Sequence, residues 1–272
     1  KKMKIAMLGL GKMGGNMSAR LIRNGISVVG YDNHPETVKK LEASEKLIPS
    51  SSVEDAISKL EGQKIVWMML PAGDITKKQI ADLIPLLSEG DIIVDGGNSN
   101  FKQSVKMGRM LEEYNIGFMD CGTSGGVWGL DNGYCLMVGA SHEVAKAVEP
   151  VLRALAPTPQ KGWLHVGPVG SGHFTKMIHN GIEYGMMESV AEGLELLKGR
   201  EEFAVDVAKV TELWRHGSVV RSWLLDLTAE ALQSDQNLED IAPFVADSGE
   251  GRWTAVEAIE QGIPAPVLTQ AL

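Results

Sequence analysis

The sequence predicts an α/β protein, a doubly wound sheet followed by an all-α domain. Three observations carry this. Short apolar runs alternate with amphipathic stretches through the first half, as in parallel strands joined by crossover helices. The first apolar run ends in a glycine-rich turn, GLGKMG. Beyond the proline- and glycine-rich segment at 156–172 the periodicity is helical almost to the end.

Taken in order, strands are expected at KIAMLG (4–9), SVVGYD (27–32), IVWMML (65–70), DIIVDGG (91–97), GFMDCG (117–122) and YCLMVG (134–139). Their near-continuous apolar character suits parallel strands covered on both faces. Helices are expected between them near 13–24, 35–43, 53–60, 75–87, 101–114 and 142–155. The segment APTPQKGWLHVGPVGSG then breaks the alternation, and helices follow near 174–198, 204–216, 219–233 and 252–262. This places a doubly wound sheet domain at 1–168 and an all-helical domain at 169–272.

The chain has 272 residues, 44% of them hydrophobic, enough for two cores. A formal net charge of −9 argues against nucleic acid as the main partner, while a local basic pocket still admits a small anion. The two cysteines, Cys121 and Cys135, have no metal-ligand spacing. That fits a reducing cytoplasm with neither a disulfide framework nor a metal site. No apolar run reaches the roughly 18 residues of a membrane span. The opening KKMKIAMLGLG reads as strand and turn rather than as a signal peptide.

In GLGKMG, Gly9, Gly11 and Gly14 have the dinucleotide-binding spacing, with Leu10, Lys12 and Met13 between them. The first glycine allows a tight turn, the second lets a pyrophosphate approach the backbone, and the third permits close helix–strand packing. The first amides of the following helix face the anion. Asp32, roughly 20 residues further on, is placed to bind the adenosine ribose hydroxyls. Its charge disfavours a 2′-phosphate and no arginine follows it, so NAD is expected rather than NADP. A turn that merely caps a helix is the competing reading. Strand, glycines, helix and acid in succession favour a Rossmann-type cofactor site.

Two further turns follow strands. DGGNS (95–99) carries Asn98, which either offers its amide to a ligand or caps the next helix. CGTSGGVWG (121–129) offers the Ser124 hydroxyl and the amides of Gly125 and Gly126. The helix opening GHFTKMIHNGIEYG aligns Lys176, His179, Asn180, Glu183 and Tyr184 on one side, at about 100° per residue. A solvated stripe is the ordinary explanation. Downstream, however, the same side carries Met187, Val190, Ala191, Leu194 and Leu197 and is expected to face a core, with Glu188, Glu192 and Glu195 turned to water. Buried polar groups are costly unless paired or used, so the stripe reads as a site.

Together GLGKMG, DGGNS, TSGG and GHFTKMIHNGIEYG, continued by RSWLL (221–225) and GRWTAVEAIEQGIP (251–264), resemble the 6-phosphogluconate dehydrogenase family over essentially the whole chain. The resemblance implies oxidation of 6-phosphogluconate at C3 and loss of CO2 to give ribulose 5-phosphate, within the pentose phosphate pathway. It makes Lys176 the general base and Glu183 the acid that protonates C1 of the enediol. Such roles need a lysine whose pKa is lowered and a carboxyl able to hold a proton. Asn98, Ser124, Gly125, Gly126, His179 and Asn180 match substrate-binding positions, Asn98 also adjoining the cofactor, and Tyr184 and Arg221 match phosphate ligands. Leu70, Pro71 and Ala72 resemble the turn beside the nicotinamide, with proline where the family has lysine.

Asp32–Asn33–His34 stands where NADP-dependent members have asparagine–arginine–threonine, again implying NAD. ADSGEGRWT (246–254) is shorter than its counterpart and lacks a lysine and a threonine that help bind phosphate, which points to Arg252 as a substitute. The family completes its site with basic residues from a partner's C-terminal tail, and this chain resembles a short form lacking that end. A homo-oligomer, dimer or tetramer, is implied by the same analogy. Competing readings are a non-decarboxylating β-hydroxyacid dehydrogenase of 3-hydroxyisobutyrate type, which needs neither Glu183 nor a phosphate site, and a non-catalytic NAD sensor, which needs no polar stripe.

Overall fold

The computed structural model describes residues 2–272, and the chain divides into two compact units, Lys1–Lys176 and Met177–Leu272. The first contains β1 (Lys4–Leu8), α1 (Lys12–Arg23), β2 (Ser27–Tyr31), α2 (Pro35–Glu45), β3 (Ile48–Pro49), α3 (Val53–Ser58), β4 (Ile65–Met68) and α4 (Asp74–Leu83). It continues through β5 (Ile92–Asp95), α5 (Phe101–Glu112), β6 (Gly117–Ser124), α6 (Gly129–Asn132), β7 (Cys135–Ala140), α7 (His142–Leu155) and β8 (Trp163–Gly167). The strands form one sheet in the order β3-β2-β1-β4-β5-β6-β7-β8. Chain direction across the sheet reverses between β1 and β4, the switch point at which open α/β sheets bind ligands.

Each central strand buries both faces. Ile5 and Met7 of β1 join Met17 and Leu21 of α1 and Val148 and Leu152 of α7 in one core. Ala6 and Leu8 turn the other way, toward Ile57, Ile80, Ile93 and Leu111. This two-sided burial explains why the strands read as unbroken apolar runs rather than as alternation. Arg20 fastens the first layer: its guanidinium donates to the carbonyls of Leu155 (3.0 Å), Leu130 (3.1 Å) and Ala156 (2.8 Å). It thereby satisfies carbonyls at the ends of two neighbouring helices.

The sheet differs from expectation in three places. β6 and β7 are antiparallel, with Ser124 opposite Cys135, because the short link carrying α6 cannot hold the crossover that a parallel pair requires. β3 is a two-residue strand, too short for a periodic signal. β8 lies inside the proline- and glycine-rich segment that reads as a break, and it pairs in parallel with β7 across a register shift. Its exposed Leu164 and half-buried neighbours mark an edge strand.

Helix α8 (Ser171–Gly199) begins in the first unit and continues through the second, where α9 (Val207–Trp214), α10 (Trp223–Ser234), α11 (Glu250–Gln261) and α12 (Pro266–Gln270) follow. Side-chain caps start two of them, Asp206 accepting from the Lys209 amide and Ser222 from that of Leu225. Glu188, Glu192 and Glu195 are exposed as their phase requires. The apolar stripe expected to face a core does not: Met187 and Ala191 are exposed. With Val190 and Leu194 they line an open groove of about 830 Å³, walled opposite by Leu224, Leu227 and Ala231 of α10. Both walls of the groove come from this helical unit.

Ile93→Ala is expected to cost about 2–5 kcal/mol in urea unfolding, since Ile93 is fully buried at the sheet centre. Leu164→Ala on the exposed edge should stay within about 0.5 kcal/mol.

Candidate functional site

The turn after β1 is built by close approach. Gly9 has φ +90°, a conformation glycine adopts without strain, and its amide donates to the Tyr31 carbonyl (2.9 Å). A methyl at Gly9 would overlap the Met69 carbonyl, and one at Gly14 would overlap the Gly9 carbonyl. Gly11 differs, because a methyl there meets nothing in the protein. It is the N-cap of α1 and gives that helix no side-chain cap, so the first amides, including those of Lys12 and Met13, are left for an anion. Leu10 is buried, Met13 half-buried, and Gly11 and Lys12 exposed.

Asp32, just beyond β2, leans back onto this turn. One carboxylate oxygen accepts the Leu10 amide (2.8 Å); the other accepts the His34 amide (2.8 Å) and lies 3.1 Å from His34 Nδ1. Partial burial pulls its pKa upward, but the amides of Leu10 and His34 and the His34 ring together outweigh this and hold it below the ordinary carboxylate value. A fixed negative charge therefore stands beside the open N-terminus of α1.

Two more turns lie at the same edge of neighbouring strands. Leu70 is half-buried and Pro71 and Ala72 exposed, with the Pro71 carbonyl held by Thr76 Oγ1 (2.8 Å). A methyl at Gly97 would stand 2.6 Å from the Leu70 carbonyl oxygen. Buried Asp95 fixes the second turn by accepting from the Gly97 amide (3.1 Å) and from Ser99 Oγ (2.6 Å). Asn98 projects from it, exposed. The capping alternative for Asn98 fails, because Asn100 is the residue that caps α5, accepting from the Lys102 amide (2.9 Å).

At the end of β6, Ser124 is half-buried beside Gly125 and Gly126, both at positive φ. Lys176 reaches the same strand end. It is 6% exposed, and its stem packs so closely on Gly122 that a methyl there would overlap the Lys176 Cβ. Burial pushes the Cys135 thiol up and the Lys176 ammonium pulls it down, so the Lys176 charge is felt at the cross-strand partner of Ser124. Within the first unit the stem of Lys176 thus lies on β6 two residues before Ser124.

In the second unit α8 continues the stripe. His179 Nδ1 is 2.9 Å from Asn180 Oδ1 and 3.9 Å from Glu183 Oε2. Glu183 is half-buried, two helical turns from Lys176 on the same side. Tyr184 Oη lies 3.1 Å from Ser248 Oγ, its ring against Gly251. Arg221 is exposed, and among the described residues it shares no hydrogen bond with Tyr184. Arg252, expected as a substitute phosphate ligand, donates to Asp247 from Nε (3.0 Å) and Nη2 (2.6 Å). Sequence reasoning missed Ser248, whose only local signal is a hydroxyl flanked by Gly249 at the start of α11. It also missed Asp120, a buried acid within a strand. Among the described residues no cluster of histidine, cysteine and acidic side chains is arranged for a metal.

The model of the NAD-binding domain of 6-phosphogluconate dehydrogenase matches residues 4–167, and that of the 6-phosphogluconate dehydrogenase C-terminal domain matches 172–272. An NAD(+)-dependent, decarboxylating 6-phosphogluconate dehydrogenase from Haloferax volcanii is 40% identical over 272 residues, covering 99% of this chain and 89% of its own length. Its namesake from Bacillus subtilis is 34% identical over 98% of this chain, which spans 60% of that longer protein. Among solved structures, Plasmodium falciparum 6-phosphogluconate dehydrogenase, known with its cofactor NADP+ and with its substrate 6-phosphogluconate, has a TM-score of 0.91 at 29% identity. The match covers 99% of this chain and 60% of that one. A 3-hydroxyisobutyrate dehydrogenase from Mycobacterium tuberculosis, at 21% identity and a TM-score of 0.79, shares the fold.

The thiols give a check on the site's walls. Cys121 is buried and burial drives its pKa far up, whereas Cys135 is exposed. A thiol-specific disulfide reagent should label Cys135 alone in the native protein and both cysteines after denaturation; native labelling of Cys121 would contradict the packing around β6.

Proposed function

The chain belongs to the 6-phosphogluconate dehydrogenase family, and on that premise we propose that it oxidises and decarboxylates 6-phosphogluconate to ribulose 5-phosphate and CO2 with NAD as oxidant. The observation that carries this is Lys176, buried with its stem on Gly122 two residues before Ser124, with Glu183 two turns along the same face of α8. Cofactor binding would fall to residues 1–168 and substrate binding and dimerisation to 169–272.

NAD held at the Gly9–Gly14 turn would supply the acceptor for the hydride leaving C3. The Lys176 amine takes the C3 hydroxyl proton, leaving a β-keto acid, and returns a proton to the C3 oxygen as the C1 carboxylate departs as CO2. Glu183 then delivers a proton to C1 of the enediol. Asn98, Ser124, Gly125, Gly126, His179 and Asn180 orient the carboxylate and hydroxyls. Tyr184, joined by Ser248, and Arg221 take the phosphate, Arg221 through a planar fork suited to it. Glu183 and the Tyr184–Ser248 pair favour this reading over a simple β-hydroxyacid oxidation, which needs neither. The polar stripe itself favours catalysis over NAD sensing.

The residues present fit a dinucleotide. Gly9, Leu10, Gly11, Lys12, Met13 and Gly14 would hold its pyrophosphate, Asp32 its ribose, and Leu70, Pro71, Ala72 and Asn98 would border the nicotinamide. Asp32, held ionised, supports NAD over NADP. Exposed large apolar side chains in the second unit, among them Leu196, Phe203, Val219, Phe244, Val245 and Ile259, support a homo-oligomer. No described helix is long and apolar enough to cross a membrane, and a cytoplasmic location agrees with free thiols.

Nicotinamide absorbance with 6-phosphogluconate tests the reading. Wild type should turn over and release CO2, and Lys176→Met should lose about 10²–10⁴-fold in kcat; undiminished turnover would remove Lys176 from the chemistry. The kcat/KM with NAD should exceed that with NADP by about tenfold or more, a gap narrowed by Asp32→Ala. Equal efficiency in the wild type would refute the assignment to Asp32.

A further inference from the structure

We infer that Asp120 is a positioning residue for this reaction: its buried carboxylate, seated on the first amides of α8, sets the height and rotation of that helix and so the place of Lys176 on β6, two residues before Ser124. The inference rests on the role proposed for Lys176 above.

Asp120 lies within β6 and is 0% exposed. Both its oxygens are engaged by the start of α8, Oδ1 accepting from the Gly170 amide (2.6 Å) and Oδ2 from the His173 amide (2.8 Å). Helices ordinarily satisfy such amides with a local, partly solvated Ser, Thr, Asp or Asn. Here the acceptor comes from a strand 50 residues earlier in the chain. Burial pushes the Asp120 carboxyl up, while His173 and the amides of His173 and Gly170 oppose it without cancelling it. Hiding this carboxylate is therefore costly where a surface cap would serve stability with less desolvation. What the buried acid adds is placement.

The surrounding glycines leave the helix no slack. A methyl at Gly172 would overlap the Asp120 carbonyl, and one at Gly139 would overlap the Asp120 carboxylate. Gly122, two residues along β6 from Asp120, touches the Lys176 stem. Gly172 and Lys176 are one turn apart on the same side of α8, so the helix lies on β6 at both points. The next residue, His173, is buried and tied by Nδ1 to Ser104 Oγ of α5 (2.7 Å). Asp120 fixes the helix along its axis, Gly122 and Gly172 fix its distance from the strand, and Ser104 resists its rotation. Lys176 follows one turn after Gly172, its stem on Gly122.

The test uses the whole chain with Asp120→Asn, Asp120→Ala and, as an independent disturbance of the same seat, Gly122→Ala. Each is assayed for kcat, for the KM values toward NAD and the sugar acid, and for reactivity of individual lysines toward limiting acetic anhydride, read by peptide mass. Asp120→Asn keeps the side-chain volume and one acceptor. It should lower kcat by about 10–100-fold with KM for NAD within about twofold of wild type, because a small misplacement of a reacting group costs that much. Asp120→Ala should lose more, and Gly122→Ala should reproduce the pattern. In each folded variant Lys176 labelling should change severalfold relative to the exposed Lys39 and Lys40. Wild-type-like kcat and Lys176 labelling in Asp120→Asn would overturn the inference, as would an equal decline in kcat, NAD affinity and melting temperature, the mark of a folding role alone. Should Asp120→Asn and Asp120→Ala both fail to fold, unchanged Lys176 labelling in Gly122→Ala would overturn it. If the wild type does not oxidise 6-phosphogluconate, the proposed function falls, and the labelling still decides whether Asp120 seats Lys176.

Discussion

The carboxyl edge of the sheet holds its turns at backbone contact, Gly9 against Met69, Gly14 against Gly9, Gly97 against Leu70 and Gly122 against the stem of Lys176. Each approach exists because a side chain is missing at the point of contact. Protein interiors are packed too densely to open for one extra methyl without moving a neighbour, and at Gly9 and Gly14 the neighbour is main chain. The positions of the ligand-facing groups are consequently set by β1, β4, β5 and β6 themselves rather than by flexible connections.

Three aspartates complete this edge, and their environments divide the labour among them. Asp95 and Asp120 turn inward and serve the protein's own donors, Asp95 shaping the turn that presents Asn98 and Asp120 the start of α8. Asp32 remains partly open and keeps its charge because two amides and an imidazole surround it. The net charge of −9 is thus a poor guide to the field at the site, where bare helix amides and a buried lysine stand beside individually anchored carboxylates.

What could be read from the sequence was what is local along the chain. The glycine spacing and the strand before it placed the tight turn after β1, and helical phase aligned Lys176 with Glu183, because both follow from backbone geometry over a few residues. The antiparallel β7 and the edge strand β8 were not legible, since neighbours in a sheet are a tertiary choice. Ser248 and Asp120 escaped for the same reason, their partners Tyr184 and Gly170 lying 64 and 50 residues away. The stripe at Met187–Leu194 is apolar as its phase implies, but it is not covered. Periodicity reports that a face avoids water and is silent on whether the same chain supplies the lid.

Gly11 separates two kinds of selection that usually act together. The fold has no use for its missing side chain, because the space above it is open, whereas Gly9 and Gly14 are demanded by the turn itself. Drift at Gly11 would leave an intact, well-folded chain that quality-control proteases have no reason to degrade, yet one that, on the proposed role of this turn, no longer admits a pyrophosphate. A chain altered in this way would persist at full abundance in a cell.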